Sequence, residues 1–99
     1  MITYNSDAGQ LVCVLPPRMD TVVCAECQEE LLARVTAAAG PVVFDMAGVE
    51  YVASAFIRIC LQAAKHAGAE RFKLIHVSPN VHRVFKMAGL DQHLQAQAG

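Results

Sequence analysis

The chain has 99 residues, of which 55% are apolar and 17% charged, and its eight Lys and Arg against nine Asp and Glu leave a net charge of −1. A length of this order suits one core, so residues 1–99 are expected to form a single domain, and the apolar content excludes a disordered chain of low hydropathy. With no excess of positive charge to hold a phosphate backbone, nucleic acid is not an expected partner.

No run approaches the roughly 18 uncharged apolar residues of a membrane span, so no membrane insertion is expected. The opening Ile2-Thr3-Tyr4-Asn5-Ser6-Asp7 has neither the basic start nor the apolar run of a secretory signal. A cytoplasmic location follows as the expectation, with Cys13, Cys24, Cys27 and Cys60 as reduced thiols.

Taken in chain order, Ile2 to Asn5 reads as a short strand, Asn5 to Gly9 as a turn, and Leu11 to Leu15 as an interior strand stopped by Pro16-Pro17. Asp20 or Thr21 can cap a helix running to about Ala38, with Val23, Cys27, Leu31 and Val35 as its apolar stripe. Gly40-Pro41 ends that helix. Val42 to Phe44 follows as a buried strand closed by Asp45, and Ala47-Gly48 turns the chain. A second helix starts near Ser54 with Ile57, Cys60, Leu61 and Ala64 as its stripe, and Gly68 stops it. Phe72 to Val77 is the next strand. Ser78-Pro79 starts a third helix carrying Val81, Val84, Phe85 and Ala88, Gly89-Leu90 has the form of a Schellman stop, and Asp91 can cap a last short helix.

The order β-β-α-β-α-β-α-α predicts an α/β fold. Its sheet should be mainly parallel, with an N-terminal antiparallel hairpin strand and helices on one face. Leu11 to Leu15 shows no polar alternation to suit an open second face, so that face is either covered by the chain's ends or a self-association surface, which makes a homodimer an open expectation.

Specific motifs appear on this frame. Val42-Val43-Phe44-Asp45-Met46-Ala47-Gly48-Val49-Glu50-Tyr51-Val52-Ala53-Ser54 resembles the central motif of STAS domains of the anti-sigma-factor antagonist type. In that family an apolar strand ends in Asp, and after a short turn Asp-Ser-Ser/Thr-Gly-Leu opens a helix. Val77-Ser78-Pro79-Asn80-Val81-His82-Arg83-Val84-Phe85-Lys86-Met87-Ala88-Gly89-Leu90 is similar to the family's closing stretch, and Arg18-Met19-Asp20-Thr21 stands where the family has its Gly-x-Leu-Asp turn. The resemblance spans residues 10–96.

It implies the STAS fold and a non-enzymatic binding module without a cofactor. The implied partners are an anti-sigma factor with serine kinase activity and a phosphoserine phosphatase. The phosphorylated residue would be Ser54, and the chain departs from the pattern around it: Ala53 replaces Asp, Ala55 the next Ser or Thr, and Phe56 the glycine. A phosphate on a helix-capping Ser54 would meet free N–H groups and the positive dipole end. The plainer reading is that Ser54 only caps its helix. Asp20 is either a cap or a functional carboxylate, and Asp45 either binds loop N–H groups or faces a partner. Phe56, outside the stripe, is either a contact residue or tucked under the N-terminal loop. Arg58 is expected on the Ser54 surface. The expected partner-binding set is thus Asp20, Asp45, Ala53, Ser54, Phe56 and Arg58.

Two other readings stand beside this one. The same fold serves as a phosphorylation-independent scaffold or transport-associated subunit. More distantly, Cys24-Ala25-Glu26-Cys27 is a C-x-x-C and suggests a thiol oxidoreductase. Glu26, Glu29 and Glu30 lie close to that pair and would raise the thiol pKa rather than lower it. No ligand spacing for zinc is present: there is no second C-x-x-C, and His66, His76, His82 and His93 are scattered.

Overall fold

The computed structural model describes residues 2–98, so Met1 and Gly99 of the expected domain lie outside the described residues. β1 (Thr3–Asp7) and β2 (Gln10–Val14) form the antiparallel hairpin, turned at Ala8-Gly9, where both residues take positive φ. The turn is tighter than the sequence suggests because consecutive left-handed residues let the ladder run on to Asp7. α1 (Thr21–Ala37) leads to β4 (Val42–Asp45), α2 (Ser54–Ala67) to β6 (Phe72–Val77), and α3 (Pro79–Met87) to β7 (Ala96–Ala98). The five-stranded sheet has the order β1-β2-β4-β6-β7, parallel from β2 onward. A separate two-residue ribbon pairs β3 (Arg18–Met19) with β5 (Tyr51–Val52), also in parallel.

The α/β class, the parallel sheet, the antiparallel hairpin and the one-sided helical layer match the sequence reading. The last element does not. Residues 91–95 are turns rather than a capped helix, and they deliver β7 to the edge of β6. With β1 and β7 at opposite edges, neither end of the described chain lies over the open face, where Val12, Val43 and Lys73 form one row and Val14, Asp45 and Ile75 the next.

The helical face holds the core. Leu11, Val42 and Phe72 line up across it, as do Cys13, Phe44 and Leu74. Against them α1 places Cys24, Leu31 and Val35, so its buried edge includes Cys24, while Cys27 and Val23 are only half-buried. α2 buries Phe56, Ile59, Cys60, Ala63 and Ala64; the inward face is rotated from the expected stripe, leaving Ile57 and Leu61 half-exposed. α3 buries Val81 and Phe85.

Local signals set the ends of these helices. Asp20 caps α1 by accepting the Val23 N–H at 2.9 Å, and the Ser78 hydroxyl accepts the Val81 N–H at 3.3 Å ahead of Pro79. Each such cap is worth about 1 kcal/mol. α3 stops in a Schellman motif: Gly89 has φ +75°, the Leu90 N–H reaches the Phe85 carbonyl at 2.9 Å and the Gly89 N–H the Lys86 carbonyl at 3.0 Å.

Between α1 and β4 the backbone of Gly40 runs against the hairpin turn, and a Cβ at Gly40 would collide with the Gly9 carbonyl oxygen. Gly40→Ala is therefore expected to cost about 1–3 kcal/mol by urea denaturation, the range for forcing an extra carbon into a packed site. An unchanged midpoint would show that the turn gives way freely.

Candidate functional site

The C-terminal edge of the parallel sheet is where the chain leaves its strands and where α2 and α3 begin, the usual place for a site in such a sheet. Asp45 closes β4 there. Its Oδ1 accepts the Ala47 N–H at 3.0 Å, which fixes the Met46–Gly48 turn, and stands 3.0 Å from His76 Nδ1. The Met46 N–H bonds the Ile75 carbonyl at 2.9 Å, so the turn is tied to both strands.

The sequence pattern gives His76 no role beyond a place in the strand over residues 72–77. His76 adopts φ +57°, a left-handed conformation uncommon outside glycine but one that histidine, like asparagine and aspartate, enters more readily than other side chains, beside an irregularity in the β6–β7 register. Phe72 and Leu74 face the core, and strict alternation would send position 76 inward as well. Instead Val77 is buried and His76 stands outward on Asp45. The one legible signal was a histidine at an inward parity followed by valine.

Partial burial pushes the Asp45 carboxyl up, but the hydrogen bonds from His76 and the Ala47 N–H outweigh it and hold the carboxyl below its ordinary value. A carboxyl depressed in this way stabilises the fold above its unfolded pKa, near 3.9, and that contribution fades as pH falls through the lower folded value. Asp45→Asn should therefore flatten the loss of stability that sets in below about pH 4 in acid titrations followed by circular dichroism. An acid limb identical to that of the unsubstituted protein would remove the pair from the stability account.

Beyond the turn, the Glu50 N–H bonds the Pro17 carbonyl at 2.7 Å and the Ala53 N–H the Met19 carbonyl at 2.9 Å, which docks β5 onto β3. Met19 and Val52 point inward. On the outer side Arg18 lies 4.9 Å from the centroid of the Tyr51 ring, an exposed cation–π contact.

α2 starts here, and its first turn differs from expectation. The N-cap is Ala53, and no side chain caps the helix; Ser54 is the first helical residue and is exposed. Ser54 is thus not the cap, because the extended backbone conformation that a cap requires falls one residue earlier. No acidic residue occupies the first turn. The hydroxyl sits beside amide groups that no carboxylate neutralises, and Arg58, exposed one turn on, shares its helix face.

The remaining expected residues divide. Asp20 serves as the α1 cap, and Asp45 holds the loop. Ala53 is 9% exposed and Phe56 wholly buried, with the Phe56 ring centroid 6.2 Å from that of Phe44. Neither offers a surface to a partner, and Phe56 belongs to the core because position 56 lies on the inward side of α2. Ser54, Arg58, Tyr51 and Arg18 make the exposed rim. The last two escaped notice as partners because a two-residue strand pair leaves no periodicity to read.

All four thiols are free. Burial pushes Cys24 up to about 11 and Cys13 up to about 12, and also raises Cys27 and Cys60. The Cys24 thiol donates to the Met19 carbonyl at 3.7 Å, while Cys27 lines a cleft with Ile2, Pro16, Val23, Glu26 and Glu30. Nothing here activates a sulfur. At pH 8 a disulfide reagent should modify at most Cys27 at a measurable rate in the native protein, and all four after denaturation; rapid reaction of both Cys24 and Cys27 would revive a redox pair.

Among the described residues no three His, Cys, Asp or Glu side chains converge as a metal site, and no helix is long and apolar enough to cross a membrane.

A family model described as "Mlab, STAS domain" matches residues 2–96. Among solved structures, an anti-sigma-factor antagonist (STAS) domain protein from Planctomyces limnophilus superposes with TM-score 0.89 at 24% identity, covering 99% of this chain and 90% of that one. The anti-sigma factor antagonist SpoIIAA in its unphosphorylated form gives TM-score 0.78 at 15% identity over 100% of this chain and 89% of that one. The murine anion transporter Slc26a9 gives TM-score 0.74 at 12% identity, matching 96% of this chain to 17% of its own. A comparison with curated protein sequences finds no match.

Proposed function

The chain belongs to the STAS-domain family, and on that premise we propose that it is an anti-sigma factor antagonist that docks through the rim around Ser54 and is released by phosphorylation of that residue. Family members are typically non-catalytic scaffold or regulatory proteins, and this chain is read as one of them. The observation that carries the proposal is the exposed Ser54 hydroxyl at the first position of α2, a helix start with neither a side-chain cap nor an acidic residue.

A phosphate there adds a charge of about −1.5 to −2. It meets the positive end of a helix whose first turn carries no carboxylate, so the fold tolerates it and the partner senses it. The replacement of the family glycine by Phe56 does not obstruct this surface, because the ring is spent in the core. The partner in this reading is an anti-sigma factor with serine kinase activity, and a phosphoserine phosphatase restores the docking form.

One observation favours a second reading. Ala53 replaces the family aspartate and is itself buried, which removes a negative group that a kinase could recognise beside Ser54. A STAS scaffold or transport-associated subunit that is never phosphorylated would have no need of that group.

Purification of the protein from the cells that make it, with mass spectrometry of its companions and of the Ser54 peptide, separates the two. The proposal expects a kinase-type anti-sigma factor, phosphorylated Ser54, retention of the partner by Ser54→Ala and its loss from Ser54→Asp, with both variants folded by circular dichroism. Transport or scaffold companions, with Ser54 unmodified under all growth conditions, would overturn the proposal and leave the second reading.

A further inference from the structure

We propose that the exposed face of α3 is a second docking surface, fitted to an acidic amphipathic segment of another protein. The distribution of charge over the helical layer carries this inference. α1 carries Glu26, Glu29 and Glu30 against Arg34, whereas α2 and α3 carry no carboxylate at all. On α3, Arg83 and Lys86 are exposed, and beside them stand Val84 at 39% and Met87 at 82% exposure. Each pair has the i, i+3 spacing that places its members on one side of a helix, so cations and apolar side chains form adjoining stripes. Val81 and Phe85 already fill the core, so Val84 and Met87 give α3 a second apolar side, on which Met87 is largely open to solvent and Val84 partly so.

The cations are not there to hold the molecule together. Among the described residues the ion pairs are Arg34–Glu30 and His76–Asp45, and neither Arg83 nor Lys86 takes part in one. Yet the chain has more carboxylates than Lys and Arg, nine against eight. The carboxylates sit on α1, at the ends of β1 and β4 and in connecting segments, and the cations of α3 are left open. A lone exposed methionine is ordinary. A methionine and a valine bordered by two unpaired cations, on a helix free of carboxylates, complement an apolar residue flanked by Asp or Glu. Met87 suits the anchor position, since its flexible thioether adapts to the shape it meets.

α3 starts at the Ser54 edge of the sheet and runs away from it, so Met87 lies roughly 12 Å along the helix axis from Pro79. The surface is thus separate from the Ser54 rim, and the inference stands whether or not Ser54 is ever modified. Two cations are too few to hold the protein on an anionic bilayer without a further anchor. Docking the acidic α1 of a second copy onto α3 would pair unlike faces, an arrangement that builds open chains unless it closes into a ring.

The test is site-specific crosslinking of the full chain, with Met87→photomethionine, in the cells that produce it, and mass spectrometry of the joined peptides. The expected result is a peptide from a different protein with carboxylates flanking an apolar residue. Arg83→Glu with Lys86→Glu, at exposed positions and checked for folding by circular dichroism, should lower the yield by roughly tenfold, corresponding to about 1.4 kcal/mol. Ser54→Asp should leave the yield unchanged. Crosslinks to lipid, to α1 of a second copy or to segments without carboxylates would overturn the proposal, as would an absence of crosslinks or indifference to the charge reversal.

Discussion

Phe44 sits where the sheet, α2 and the functional edge meet, and the geometry of that edge depends on its packing. Its ring meets Phe72 at 4.9 Å in an edge-on arrangement and Phe56 at 6.2 Å, all three wholly or almost wholly buried. Such contacts add about 0.5–1.5 kcal/mol each beyond the area they bury. Their consequence is positional. Phe56 lies in the first turn of α2, so burying it against β4 fixes both the angle at which α2 leaves the sheet and the direction in which Ser54, two residues earlier, presents its hydroxyl. Asp45, next to Phe44, secures the other end of the same loop through Ala47 and His76. A rigid rim results from a core contact on one side and a polar clamp on the other.

Much of this was legible in the sequence wherever a local rule and the tertiary demand coincide. Asp20, Ser78-Pro79 and Gly89-Leu90 are end signals whose chemistry is complete within a few residues, and all three act as read. The hairpin and the parallel order followed from apolar runs and right-handed crossovers. What escaped depends on distant partners. The β3–β5 ribbon exists because Pro17 and Met19 carbonyls meet amides more than 30 residues away. β7 forms because β6 offers an edge, although Ala96-Gln97-Ala98 has little strand character of its own. His76 turns outward for Asp45. The inward rotation of α2 to include Phe56 and Ile59 could not be read from spacing, because Ile57 and Leu61 give an equally good stripe and only the sheet chooses between them.

These differences bear on function. Placing the cap at Ala53 rather than Ser54 makes the hydroxyl more available, since it is not engaged by the backbone of its own helix. The burial of Phe56 turns a departure from the family pattern into a core feature and leaves the surface open. The four cysteines, which invite a redox reading as a pattern, behave in the structure as small apolar residues with thiols raised by burial. Charge is divided over the helical layer, with the carboxylates on α1 and only cations on α2 and α3, so the two flanks of the layer differ in electrostatic character.

The central claim is that the first turn of α2 is a rigid, uncapped helix start that accepts a phosphate without disturbing the fold. Phosphoserine installed at position 54, with amide proton–nitrogen spectra and a thermal melt recorded against the unmodified protein, tests it directly. The account predicts that shifts concentrate on the amides of residues 53–57 and that the melting temperature is held or raised. Loss of native dispersion, or a marked fall in melting temperature, would contradict it.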